Sequence, residues 1–380
     1  MTIDRTAETG LDPAGVEALL ARAEEEIRDG HLPSCQVALA RDGELALLVT
    51  LGHATDEHRY VIFSMTKAIV AGAMWILFGE GLLEPSTRVV DVVPGFGTNG
   101  KELVTVEHLL LHTAGFPRAP MHPLEGATRE GRLERFAQWR LDWEPGTAYE
   151  YHPSSAHWVM AEVIERVTNE DFRTFVNERV ISPVEPTTLR LGERGPDHGD
   201  VAVLRMTSEP LPPEDMAALG IRNADAMLGE LGPTQLLRYN EPEVRAAGSP
   251  GGGAVGTAAD VALFFQALLH DPAGTWDPEV LHDGTATIRN VFPDPFTGVP
   301  ANRTRGLVVA GDDGRAAFRS FAHDAGPRTF GSPGAGGQVA WADPDSGLSF
   351  CYLTNGLDAD VVRSARRSIT LSSLAAAAAR

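Results

Sequence analysis

Residues 63–70 read FSMTKAIV, with Ser64 three positions ahead of Lys67. On a helix that spacing is one turn, so the two side chains share a face. A serine hydroxyl is a poor nucleophile until a neighbouring base takes its proton, and a lysine whose surroundings lower its pKa can be that base. A helix-capping serine beside a solvated lysine has the same four-residue signature, so the stretch gains meaning only from the chain around it. That chain holds thirty arginines and two lysines, which makes each lysine conspicuous. The other, Lys101, sits in the polar turn GTNGKE and needs no special role.

The flanking pattern puts Ser64 at a helix start. Tyr60-Val61-Ile62-Phe63 precedes an apolar run that predicts a helix over about 64–81. Backbone N–H groups at that end are unpaired, and the helix dipole there favours negative charge. Upstream, residues 13–29 repeat apolar positions at helical spacing, and CQVALARDGELALLVTLG (35–52) reads as two strands joined at Arg41-Asp42-Gly43. From about 84 to 245 the pattern is mainly helical, clearest in TVEHLLLHTAGF and SSAHWVMAEVIERVTNEDFRTFVNERV. The acidic stretch 192–250 is loop-heavy, with a length and proline content that suit a lid or a surface loop equally. GTAADVALFFQALLHD (256–271) predicts a capped helix. RGLVVAGD, GQVAWADP and LSFCYLTNG then return to strand patterning before a final helix through DADVVRSARRSITLSSLAAAAA.

Strands at both ends around a helical middle imply a sheet assembled from both termini. The expected architecture is α/β (α+β), one unit over 1–380. About 1–83 and 246–380 form its α/β part, and about 84–245 form an inserted, mainly helical part.

With 43% hydrophobic and 22% charged residues the chain is a folded protein, and its net charge of −20 without any basic run argues against a nucleic-acid partner. Cys35 and Cys351 each lie in an apolar run and read as buried small hydrophobes. MTIDRTAETGLDPAG has neither a basic n-region nor an apolar h-region, and no run reaches transmembrane length. The expectation is a cytoplasmic protein with no membrane partner; the oligomeric state is left open. His108 and His112 in HLLLH have the spacing of a zinc pair but lack the following glutamate, so they read as a structural pair on one helix face. No metal and no other cofactor is expected. Asp260 and Asp343 read as a capping and a turn residue. The glycine-rich runs near 248 and 331 are neither G-x-S-x-G elbows nor phosphate loops.

Two further stretches could serve an activated serine. PGTAYEYHP (145–153) holds Tyr149 and Tyr151, which share a face if extended, and a tyrosine beside a lysine relays protons. GSPGAGGQVAW (331–341) is a glycine-rich turn into a strand, able to offer backbone N–H groups to a carbonyl oxygen. With VEHLLLHTAGFP, GGGAVGTAADVALFFQALL and WADPDSGLSFCYLTNG, the set resembles the serine β-lactamase and penicillin-binding-protein superfamily, nearest its class C and family VIII carboxylesterase branch. The similarity covers roughly 13–185 and 245–356.

The resemblance implies a β-lactamase-like antiparallel sheet flanked by helices. It makes Ser64 the acylated nucleophile, Lys67 its base and Tyr151 a second acid/base, with Tyr149 the rival tyrosine. The third motif falls on Ser332, Pro333 and Gly334, and the oxyanion hole on the N–H groups of Ser64 and Ala335. Tyr149, His152, Pro153 and Trp341 are candidate pocket residues. Two positions depart from the family pattern: Pro153 replaces an asparagine, and Ser332 replaces a lysine or histidine. Both losses weaken recognition of a penicillin-type amide and its carboxylate. The expected activity is therefore hydrolysis of a small-molecule carboxylic ester through an acyl-enzyme. An acyltransferase, a weak β-lactamase or D-amino-acid peptidase, and a non-catalytic binding homologue are the alternatives.

Overall fold

The computed structural model describes residues 3–193, 199–218 and 232–380. Residues 194–198 and 219–231 of the acidic 192–250 stretch, and with them the lid suggestion for those positions, lie outside the described residues. The described strands, in chain order, are β1 (Ile3–Asp4), β2 (Ser34–Arg41), β3 (Glu44–Gly52), β4 (Tyr60–Val61), β5 (Arg190–Leu191), β6 (Arg205–Met206), β7 (Ala254–Gly256), β8 (Val308–Val309), β9 (Phe330–Pro333), β10 (Val339–Asp343), β11 (Leu348–Thr354) and β12 (Gly356–Leu357). The main sheet runs β1-β3-β2-β11-β10-β9-β8, antiparallel throughout. The expected seam between the termini is the β2–β11 pairing, in which Phe350 opposes Leu39 and Tyr352 opposes Val37.

Asp42 and Gly43, both with positive φ, close the β2–β3 hairpin as Asp-Gly pairs do in tight two-residue turns. The strands of this sheet are buried on both faces, so strict alternation sorts large from small rather than apolar from polar. Ala38, Ala40, Ala340, Ala342 and Cys351 face one core, and Val37, Leu39, Trp341, Phe350 and Tyr352 face the other. The small face lets the helix Ala258–His270 lie close against β2, β11 and β10. The large face fills the space beneath the helices Pro13–Arg28 and Val361–Ala377, which also pack on each other. Both cysteines are buried and unpaired, and burial pushes the Cys35 thiol up to about 12.

The helix Thr66–Gly79 is buried along almost its whole length and joins the sheet to the helical region built around Ser155–Thr168. A second sheet, β4-β7-β5, pairs the strand before this helix with the strand before Ala258–His270. Asp260 does not cap that helix, a task Thr257 performs. Its carboxylate accepts the backbone N–H groups of Thr187, Thr188 and Leu189, which fixes the approach to β5. Asp343 holds its own turn by accepting from the N–H groups of Asp345 and Ser346. Among the described residues no helix is long and apolar enough to cross a membrane.

The two terminal helices are tied by a buried charge network. Arg367 donates to Glu26 at 2.6 Å and to Asp358 at 2.7 Å, and Arg22 and Arg363 complete the set. Removing one member of a buried network leaves its partners desolvated and unmatched. Arg367→Met is therefore expected to destabilise the fold by about 3 kcal/mol, at the low end for such pairs because Arg22 and Arg363 remain. Urea unfolding of the variant beside the parent protein checks this, and an unchanged midpoint would refute it.

Candidate active site

Ser64 lies in a 3-10 turn, Phe63–Met65, that runs straight into the helix Thr66–Gly79. Phe63 holds φ at 45°, a left-handed conformation costing a residue with Cβ about 1–2 kcal/mol. Packing and hydrogen bonding retain it. The Phe63 ring meets Tyr239 edge-on at 5.7 Å, and the Ser332 hydroxyl donates to the Ser64 carbonyl at 2.9 Å. A Cβ on Gly334 would stand 3.1 Å from the Ile62 carbonyl, so that glycine lets its segment close on the turn at Ser64.

Lys67 is 3% exposed. Its ammonium donates to Ser64 Oγ at 3.3 Å, to the Pro153 carbonyl at 2.7 Å and to the Gly251 carbonyl at 2.5 Å. These acceptors stand in for the water that burial removes from the lysine. Proline at 153 has no amide side chain, but its backbone oxygen reaches the lysine. A Cβ at Gly251 would sit 2.7 Å from the Pro153 oxygen, so the close approach requires glycine there. The run GSPGGG carried that signal, although the sequence did not say which element it would meet.

Of the two tyrosines, Tyr151 reaches the pair. Its ring centroid is 5.1 Å from Lys67 Nζ, and its phenol hydrogen-bonds with Lys67 and Ser64. Burial by itself pushes this phenol up. The positive charge of Lys67, those two hydrogen bonds and the charge of Arg303 outweigh burial and hold it below the usual tyrosine value. Tyr149 faces the same way, as alternation predicts, but its hydroxyl accepts from Arg303 Nε at 2.9 Å, and burial raises its pKa despite that cation.

Arg303 is the residue that sequence reading missed. Its guanidinium is buried, 5.7 Å from the Tyr149 ring and 5.2 Å from the Tyr151 ring, and no carboxylate pairs with it among the described residues. Nothing in ANRTRG marks it, because its neighbours lie some 150 positions away in the chain. His112 was misread as one of a helix-face pair. Only His108 belongs to the helix Val106–Leu110, where it completes the N-terminal cap. His112 leaves that helix with φ of 57°, accepts the His152 N–H at 3.0 Å and lies 4.8 Å from the Tyr151 ring. Burial and the surrounding positive charges keep His112 and His157 well below the ordinary histidine value.

A cavity of about 410 Å³ opens at Ser64, with Phe63, Met121, Leu236, Tyr239, Pro153 and Ala335 in its walls. Three expected pocket residues are not among its lining. Tyr149 is drawn off to Arg303. His152 is buried rather than solvated, its ring fixed between the Glu150 carbonyl and the Phe116 N–H. Trp341 is on the large-residue face of β10, donating to Ser372 at 3.2 Å beneath the last helix. Among the described residues no group of histidine, cysteine or carboxylate side chains is arranged to hold a metal ion.

The profile of the Beta-lactamase family matches residues 18–373. The esterase/beta-lactamase LipL of Mycobacterium tuberculosis is 27% identical over 78% of this chain and 69% of its own. Esterase EstB of Burkholderia gladioli is 27% identical over 93% of this chain and 94% of its own. A penicillin-binding-protein homologue from Caulobacter crescentus superposes with a TM-score of 0.79 at 25% identity, covering 97% of this chain and 99% of that one.

Two outcomes follow from the charges around Tyr151. Replacing Arg303 by Met removes one of the cations that favour the phenolate, so the Tyr151 pKa rises and any activity needing the phenolate shifts its acidic limb to higher pH. A pH–rate profile of the variant tests this, and an unmoved limb would contradict it. Burial lowers the His152 pKa from 6.5 to about 3. The unfolded chain then binds the extra proton between those values, so stability is full above about 6.5 and falls as pH drops toward 3. His152→Gln, which cannot protonate, should flatten that loss in melting-temperature scans, and an unchanged slope would exclude His152 as its source.

Proposed function

The chain belongs to the beta-lactamase family, and from that membership and the geometry at Ser64 we propose a serine hydrolase that cleaves small-molecule carboxylic esters through an acyl-enzyme. One observation carries the reading. Ser64, which lines the cavity, is hydrogen-bonded to the Lys67 ammonium and to a pKa-lowered Tyr151 phenol.

Ser64 Oγ attacks the ester carbonyl carbon, and its proton passes to the Tyr151 phenolate. Lys67, which donates to Ser64, Pro153 and Gly251, acts chiefly as the charge that favours the Tyr151 phenolate. This reverses the order of roles that the S-x-x-K spacing suggests. Negative charge on the former carbonyl oxygen is met by the N–H groups of Ser64 and Ala335, donors of the kind worth about 3–4 kcal/mol to such a transition state. Collapse of the intermediate breaks the carbon–oxygen bond, and Tyr151 returns the proton to the departing alkoxide. Water then attacks the acyl-serine, giving its proton to Tyr151, and the acid leaves as Ser64 regains a proton.

Ester is favoured over amide by two features. The Pro153 side chain offers no hydrogen bond to an amide, and the Ser332 hydroxyl is committed to the Ser64 carbonyl rather than to a ligand. Relatives named as esterases, LipL and EstB, support the same choice. With p-nitrophenyl butyrate the protein should release nitrophenol in a burst and show a transient butyryl adduct by intact mass. Ser64→Ala should lose both, and Tyr151→Phe should lower kcat by about 10²–10⁴. Undiminished release by Ser64→Ala would refute the reading.

A further inference from the structure

We propose that Arg238 forms an anion subsite in the catalytic cavity, so that the preferred ester carries a carboxylate some distance from the scissile bond. The inference rests on the hydrolase reading of that cavity.

Acidic residues outnumber Lys and Arg 52 to 32 in this chain, yet among the described residues no carboxylate lines the cavity. Arg238 does line it, from the short turn Arg238–Asn240 that also brings Tyr239 against Phe63. Arg238 is half-buried, and among the described residues its guanidinium has no ion-pair or hydrogen-bond partner. Its surroundings differ from those of nearby arginines. Arg59 is held by Glu193 and Asp200, and Arg245 donates to the Tyr239 carbonyl. A partly desolvated guanidinium is a costly group to leave unmatched, and its planar fork fits a carboxylate.

The remaining walls agree with a ligand that is apolar near the serine and anionic farther out. Met121, Leu236 and Phe63 offer hydrocarbon surface beside the polar floor at Ser64. In the family pattern a cation on the third motif meets a substrate carboxylate. Ser332 holds that place and is turned into the Ser64 carbonyl. Arg238 supplies positive charge from a different segment, so the ligand geometry it selects differs from that of the third-motif cation. Either the acyl or the alcohol part of the ester can carry that carboxylate.

Two unreactive pairs separate those sources. Glutaric acid monoanilide against butyranilide puts the charge on the acyl side, and 4-acetamidobenzoate against acetanilide puts it on the leaving-group side. Binding is measured by titration calorimetry with the full chain and with Arg238→Met, and turnover of the matching phenyl esters is followed beside it. One anionic ligand should bind about tenfold more tightly than its neutral mate, losing that margin in Arg238→Met and with added salt, while the neutral mate is unaffected. Arg238→Lys should restore part of it. Equal affinity within both pairs, or equal weakening of charged and neutral ligands by Arg238→Met, overturns the subsite. Selective binding without turnover keeps the subsite and removes the hydrolase reading. Turnover without selectivity does the reverse.

Discussion

A lysine ammonium buried to 3% exposure has lost its water and must find other acceptors, or it gives up its proton. Lys67 finds them in three separate parts of the chain: its own helix at Ser64, the loop at Pro153 and the glycine run at Gly251. Much of the local structure serves that arrangement. Gly251 must be bare for the carbonyls to approach, and the Thr66 hydroxyl accepts the Ala254 N–H to hold the glycine run beside the turn at Ser64. The Lys67 acceptors at Ser64, Pro153 and Gly251 are neutral carbonyl and hydroxyl oxygens, and its positive charge lowers the Tyr151 pKa.

The electrostatics around Tyr151 then follow from what is absent as much as from what is present. Two cations, Lys67 and Arg303, flank the phenol, and three buried imidazoles nearby are held neutral. No carboxylate among the described residues pairs with Arg303, so its charge is felt by the two tyrosine rings rather than cancelled. In a chain with net charge −20 the acids are arranged elsewhere, in networks such as Arg132–Glu162–Glu165 and Glu26–Arg367–Asp358.

The sheet supplies the rigid base for this site. Its small-residue face admits the helix Ala258–His270, while Gln338 donates to the Val61 and Thr354 carbonyls and so ties β4, which precedes Ser64, to the end of β11. Position errors at Ser64 are therefore resisted by β9 through Ser332, by β4 through Gln338 and by β7 through Thr66.

The sequence by itself determined the elements and the serine–lysine pair, because both rest on local periodicity: a two-residue alternation for β2, β3, β10 and β11, and a three-residue step from Ser64 to Lys67. It also carried enough ordered motifs to give the family. Alternation placed Tyr149 and Tyr151 on one face and had no means to choose between them. The choice belongs to Arg303, which takes the Tyr149 hydroxyl, and to Lys67, which meets Tyr151. The same limit explains His152, Trp341 and His112, whose surroundings come from segments tens to hundreds of positions away. Burial and charge at a site are sums over neighbours in space, and only the tertiary structure brings those neighbours together.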